Sequence, residues 1–144
     1  KRLELTTEGG LNVIDNLKHI KQTIERLHEA EVPVSIFIEP DITQIDAAAE
    51  INTDIIEIHT GKYANAPTEE EMFEELESIC LAAKHAKKLG LGVNAGHGLN
   101  YQNIKELILI PDIDEVSIGQ AVVARSIFVG VERAVKEMIA LIKG

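Results

Sequence analysis

Two rhythms of apolar residues alternate along this chain. Short runs rich in Val and Ile, bounded by Gly, Pro, Asn or Asp, have the length of buried strands. Five are predicted: a stub at 2–5 (RLEL), then 32–39 (VPVSIFIE), 54–60 (DIIEIHT), 91–96 (LGVNAG) and 114–119 (DEVSIG). Alternation is weak in the middle runs, as expected where both faces of a strand are covered. Between the runs, apolar positions recur every three or four residues. Val13, Leu17, Ile20, Ile24 and Leu27 predict a helix over 13–30. An Ala-rich helix is predicted over 42–51, capped by Asp41 and followed by Asn52. A helix over 68–89 carries Thr68 and Glu71 at capping-box spacing and Glu69, Glu70 and Glu71 at its positive end. Lys84, Lys87 and Lys88 precede its stop at Gly90. Helices over 103–109, 120–128 and 131–142 complete the set.

Strand and helix thus alternate with short links, the pattern of parallel strands joined by right-handed crossovers. An open doubly wound sheet and part of a (β/α)8 barrel both fit. No Gly-x-Gly-x-x-Gly follows a strand, so the dinucleotide-binding fingerprint is absent. A full barrel takes about 250 residues. The 144 residues are therefore read as one α/β unit, residues 1–144, forming the C-terminal part of a single TIM-barrel domain, about strands four to eight. The opening Lys1-Arg2, running straight into a strand, fits the interior of a longer protein.

Composition narrows the partners. Hydrophobic residues make up 45% and charged residues 26%, with a mean hydropathy of +0.03, a globular rather than disordered profile. The formal charge of −10 opposes nucleic acid and acidic membranes, so neither is an expected partner. An anionic ligand must then be held locally, by helix N-termini, backbone N–H groups or a few cations. The single cysteine, Cys80, allows no intrachain disulfide and fits a reducing compartment; it is expected as a small buried residue. No apolar run has the length of a membrane span, and no signal peptide is expected.

In parallel α/β folds the C-terminal strand ends form the active face. Glycines and polar residues collect at that one rim: Thr6-Thr7-Glu8-Gly9-Gly10, Glu39-Pro40-Asp41, Glu57 with His59-Thr60-Gly61, Gly96-His97-Gly98, and Gly119-Gln120. Glu57, flanked by Ile56 and Ile58, is placed on the strand face opposite the helices. A carboxylate there needs a partner or a function, either an internal salt bridge or a role in catalysis. His97 sits between glycines that let a ligand approach the backbone, and its imidazole exchanges protons near neutrality; the plainer reading is a histidine in a tight turn. Gly119-Gln120 opens a helix where N–H groups attract phosphate, or is a simple strand–helix turn. His19, His28 and His85 fall in helical patterns, facing solvent or packing between helices. A metal site of Glu57, His59 and His97 matches no ligand spacing, so no metal is expected. Glu69–Glu71, Glu74 and Glu75 are read as a solvated helix face.

The blocks TTEGGLNV, IIEIHTGKYA, GVNAGHGLNYQN and EVSIGQAVVARSIFVG, in this order and spacing, resemble the pyridoxine 5′-phosphate synthase family of deoxyxylulose-dependent vitamin B6 synthesis. The resemblance covers essentially all of the chain and about the last three-fifths of the family's length. It implies a (β/α)8 barrel with additional helices, assembled as a cytoplasmic homo-oligomer, usually an octamer. It implies condensation of 3-amino-2-oxopropyl phosphate with 1-deoxy-D-xylulose 5-phosphate to pyridoxine 5′-phosphate, inorganic phosphate and water, without metal or organic cofactor. By similarity, His97 is the proton donor and Glu57 the transition-state stabiliser. Thr6 contacts the deoxyxylulose phosphate, and Gly98, Gly119 and Gln120 bind the amino-ketone phosphate. Family members often carry histidine where Gln120 stands. The family's other catalytic histidine and glutamate, its Asn-x-Asp-His strand and its substrate arginines would precede Lys1. Two other readings stand beside this one: a different phosphate-binding barrel, an isomerase or aldolase, and a non-catalytic assembly subunit. A Schiff-base aldolase needs a lysine at a strand end, and none is read there.

Overall fold

The computed structural model describes residues 9–144. The predicted strand at 2–5 and Thr6 lie outside the described residues. The described strands are β1 (Ser35–Ile38), β2 (Ile55–His59), β3 (Gly92–Gly96) and β4 (Glu115–Ser117). The helices are α1 (Val13–His28), α2 (Ile42–Glu50), α3 (Gly61–Ala64), α4 (Glu69–Lys88), α5 (Ile104–Leu107), α6 (Gln120–Val129) and α7 (Val131–Lys143).

The strands form one parallel sheet in the order β1-β2-β3-β4. Sequential order without a reversal means that every crossover winds the same way. A doubly wound sheet requires a reversal, and none occurs among the described strands. Register aligns the side chains in rows. Ile38, Ile58, Ala95 and Val116 form one row, and Ile36, Ile56 and Val93 form the next. Ile38, Ile56, Ile58, Val93 and Ala95 are fully buried, together with Ile45, Ile79 and Ala83 from α2 and α4. The intervening row on the other face is Phe37, Glu57, Asn94 and Glu115. The period-two geometry of a strand thus separates an aliphatic, helix-covered face from a polar one.

The structure trims the predicted strands at their starts. Val32 and Pro33 precede β1 as coil, since proline has no N–H to give a ladder. Caps fall where expected: Asp41 accepts the N–H groups of Thr43 and Gln44, and Thr68 accepts that of Glu71. At the far end of α4, Gly90 takes φ +83°, with Gly90 N–H bonded to Lys87 O and Leu91 N–H to Ala86 O, a Schellman ending. Cys80 is half-buried on α4, not fully buried as expected. Helix α3, absent from the predicted set, occupies GKYA directly after β2.

The opposite, N-terminal end of the sheet is tied by acidic residues that repeat one device. Asp54, just before β2, accepts Val34 N–H at 2.6 Å and contacts His28 Nε2 at 2.8 Å. Asp114, just before β4, accepts Val93 N–H at 2.8 Å and Lys87 Nζ at 2.5 Å. Each carboxylate therefore fixes the start of the neighbouring strand and the end of a preceding helix. His28 and, against Asp46, His85 are helix-packing partners rather than bare surface histidines. The Val34 N–H bond, then His28, hold Asp54 below the usual carboxylate range; the Lys87 bond, then Val93 N–H, do so for Asp114. A depressed carboxyl contributes stability that is present above its unfolded value and lost as pH falls through the folded one. Asp54→Asn and Asp114→Asn are therefore expected to lower the melting temperature at pH 7. The gap from the parent should narrow as pH falls below about 4, the ordinary aspartate value. Melting curves from pH 7 to pH 3 check this, and a gap independent of pH contradicts it.

Candidate active site

The polar row and the strand ends above it open into a cleft of about 970 Å³. Glu57 and His97 line it together with Gly98, Gly119 and Gln120. The structure thus brings five of the six residues singled out in the sequence to one cavity. Thr6, the sixth, lies outside the described residues.

His97 stands in an unusual backbone conformation, with φ +87°, followed by Gly98 at +76°. A left-handed non-glycine residue costs about 1–3 kcal/mol and persists only where its surroundings over-determine it. Here that role falls to Thr60, which is completely buried. Its N–H donates to Gly96 O at 2.8 Å. Its hydroxyl lies 2.8 Å from Gly96 O and 2.7 Å from His97 O, so one proton serves the two carbonyls that bracket the turn. The loop beyond is fixed by Asn100 and Asn103. Asn100 Oδ1 accepts Gln102 and Asn103 N–H, Asn103 Oδ1 accepts Asn100 N–H, and Asn103 Nδ2 donates to Gly98 O. Tyr63 donates its hydroxyl to Asn103 O at 2.5 Å. Burial, and then the charge of Glu106, push the Tyr63 phenol up, so it stays a donor at neutral pH. Helix α3 therefore braces the His97 loop from below, and Tyr101 ties it to α7 through Ala134 O.

Glu57 projects from the middle of β2 and is half-buried. Its carboxylate lies over the bare Cα of Gly96, where a Cβ would collide with the Oε1 oxygen. No cation lies within ion-pair distance of Glu57 among the described residues. His97 and Glu57 thus line one cleft, the first from the turn after β3 and the second from β2, level with Asn94. On the far side, α6 begins at Gln120, with Gly119 at its N-cap, which offers no side chain to cap the first-turn N–H groups. Gly119, Gln120 and Ala121 line the cleft at that point.

Two residues of this rim carry more than the sequence reading gave them. Glu39, at the end of β1, lies 2.5 Å from Nδ1 of His59, the last residue of β2, and His59 is only 7% exposed. Burial works to raise the Glu39 carboxyl. The His59 bond and charge, Gly10 N–H and Lys62 outweigh it and hold the group below its usual value. Lys62, on α3, approaches the other Glu39 oxygen at 3.7 Å, in ion-pair range but too far for a hydrogen bond. Lys62 is thus a lysine near a strand end. It is 66% exposed, however, not the desolvated amine that Schiff-base chemistry uses. Among the described residues no group of three or more His, Cys, Asp or Glu is placed to hold a metal ion. No described helix is long and apolar enough to cross a membrane.

The family described as pyridoxal phosphate biosynthesis protein PdxJ matches residues 1–144. A pyridoxine 5′-phosphate synthase of Pelobacter propionicus is 53% identical over 143 residues, which are 99% of this chain and 60% of that protein. The protein of the same name in Synechocystis sp. is 47% identical over 138 residues, 96% of this chain and 57% of its own length. That of Crocosphaera subtropica is 48% identical over 144 residues, the whole of this chain and 60% of its own length. The chain thus spans about three-fifths of the length of these relatives.

The geometry makes Thr60 a test of how the turn is held. Thr60→Val preserves shape and removes the hydroxyl with its bonds to Gly96 O and His97 O. A loss of about 1–3 kcal/mol in denaturant unfolding is expected, while Thr60→Ser, which keeps the hydroxyl, should retain most of the stability. Equal stability of the Val variant and the parent contradicts this role.

Proposed function

The chain belongs to the PdxJ family of pyridoxal phosphate biosynthesis proteins, and on that premise we propose that it forms the proton-transfer half of a pyridoxine 5′-phosphate synthase. In this reading the full-length protein joins 3-amino-2-oxopropyl phosphate to 1-deoxy-D-xylulose 5-phosphate and releases inorganic phosphate and water. Residues 1–144 contribute the later strands of a (β/α)8 barrel. The one-way winding of the four strands supports that architecture. So does the apolar surface of α6 and α7, where Ile127, Phe128 and Val131 stand 78%, 84% and 64% exposed. Uncovered apolar area of this kind suits further barrel elements, or neighbouring copies in a homo-oligomer such as an octamer.

The observation that carries the reading is His97 and Glu57 in one cleft with the start of α6, whose N-cap Gly119 has no capping side chain. When an amine adds to a ketone, the tetrahedral adduct loses water to become an imine. The departing hydroxyl needs a proton and the nitrogen must shed one. His97, on a rigid turn at the cleft wall, is assigned the donation. The cation that develops as the imine forms needs a fixed negative partner in a shielded place. Glu57, unpaired among the described residues and half-buried, is assigned that role. Gly98, Gly119 and Gln120 are assigned to the amino-ketone phosphate, held by backbone N–H groups and the positive end of α6. Such contacts are made by the main chain, so glutamine in place of the family's frequent histidine preserves them. Thr6 is assigned to the second phosphate. The net charge of −10 makes local cradles of this kind the natural way to hold two phosphates. No metal or organic cofactor is assigned, and the setting is the cytoplasm.

Replacing His97 with Asn in the full-length protein is expected to lower kcat by about 10²–10⁴-fold, the usual contribution of general acid catalysis, with KM for both substrates changed little. Glu57→Gln should lower kcat by about 10²–10³-fold, the scale of removing one electrostatic stabiliser. Steady-state turnover of the two phosphates measures both. Parent-like kcat in His97→Asn refutes the acid role, and in Glu57→Gln refutes the stabiliser role.

A further inference from the structure

Beside the His97 loop, the C-terminal ends of β1, β2 and β3 bring three rings together. His59 and His97 lie with centroids 4.7 Å apart at 71°. Phe37 stands 5.0 Å from His59 at 66° and 6.4 Å from His97 at 43°. The two pairs that include His59 are edge-to-face, an arrangement that contributes about 0.5–1.5 kcal/mol each beyond burial and fixes relative ring planes. The approach of the two imidazoles depends on Gly61. A Cβ there would sit 2.5 Å from His59 Nε2, 3.0 Å from His59 Cε1 and 3.1 Å from His97 Cδ2.

His59 is not an ordinary packing residue. Its Nδ1 is bonded to Glu39, whose carboxylate can only accept while ionised, so Nδ1 carries the proton. Its Nε2 is buried without a hydrogen-bond partner among the described residues. An orphaned polar atom costs about 1–3 kcal/mol, and a leucine in its place would remove both that cost and the need for Glu39. The arrangement makes sense if the orientation it enforces matters. We propose that His59, anchored by Glu39, is a positioning residue for His97: the pair sets the plane of the His97 imidazole at the cleft wall, and the bare Cα of Gly61 admits the two rings side by side.

This rests on the reading of His97 as the proton donor, and the test separates the two. Among the described residues, the charged groups nearest this corner are Glu39 at the end of β1, Lys62 on α3 and, one register row below His59, Glu57 on β2 and Glu115 on β4. In the full-length protein, His59→Leu fills the volume and removes the dyad, while Glu39→Gln keeps the ring and removes its anchor. Both are expected to lower kcat about 10- to 100-fold, the usual effect of removing a group that orients a reacting residue. KM for both phosphates should stay within about 2-fold, and the pH profile of kcat should shift by about half a unit or more, as neighbouring charges change. In the substrate-free protein, the carbon-bound ring protons of His97 should move in the NMR spectrum of Glu39→Gln, although residue 39 is not its direct ring partner. Parent-like kcat and unmoved His97 resonances in Glu39→Gln overturn the proposal. So does a loss that appears only in KM. Should His59→Leu fail to fold, Glu39→Gln, one-third exposed, decides the matter. If His97→Asn stays active, the acid role falls, whereas the substrate-free His97 spectra still judge the positioning role.

Discussion

One buried hydroxyl holds the turn on which the site depends. β3 must end abruptly for His97 to reach the cleft, and the chain does so by adopting two left-handed residues in succession. That conformation is unfavourable by itself. It is maintained because Thr60, at the end of the neighbouring strand, reaches across the ladder and engages the carbonyls on either side of the turn. Register decides that this is possible: His59 pairs with Gly96, so the residue after His59 arrives opposite the residue after Gly96. A shift of one residue would carry Thr60 away from the His97 turn, send Glu57 and His59 to the helix side and place Ile56 and Ile58 in the cleft.

The same two-residue period distributes the labour between the faces of the sheet. Isoleucine, valine and alanine on the helix side supply the burial that makes the strands rigid. A fully buried aliphatic side chain contributes about 1.5–3 kcal/mol relative to exposure, which lets the other face carry groups that would not fold the protein. Glu57, Asn94 and Glu115 in one row, with the Glu39–His59 pair above it, are chemistry mounted on that scaffold. The two ends of the sheet are also unlike. Aspartates at the strand starts are consumed by backbone N–H groups and helix side chains, so they lock structure. The glutamate of the cleft has no such engagement among the described residues and lines the cleft.

Much of this was legible in the sequence, for identifiable reasons. Glu57 stood out because it interrupts a run of isoleucines, and His97 because glycines flank it at the end of a short apolar run. Gly119-Gln120 was visible as a strand–glycine–helix junction. Helix limits were close wherever a cap is chemically explicit, as at Asp41, Thr68 and Gly90. Three features were not legible. The Glu39–His59 bond joins residues twenty positions apart through strand register, which no local pattern encodes; the nearest signal was that both stand at the same predicted rim. Helix α3 has four residues, too few for periodicity to register. His28 and His85 could be read as facing solvent or packing between helices, and the sequence could not choose because their aspartate partners lie in other elements. Eight-stranded closure of the sheet was likewise expected from the resemblance, and the described residues contain four strands of parallel sheet.

The central claim is that one cleft presents an imidazole, a carboxylate and a phosphate-binding helix start to the same small molecule. The most direct measurement is a crystal structure of the full-length protein with an unreactive analogue of the amino-ketone phosphate. The account predicts phosphate oxygens on the backbone N–H groups of Gly98 and of the Gly119–Gln120 segment. The reacting end should then lie within hydrogen-bond reach, about 3 Å, of His97, with Glu57 beside it. An analogue bound with its phosphate elsewhere, or with its reacting end out of reach of both side chains, would contradict it.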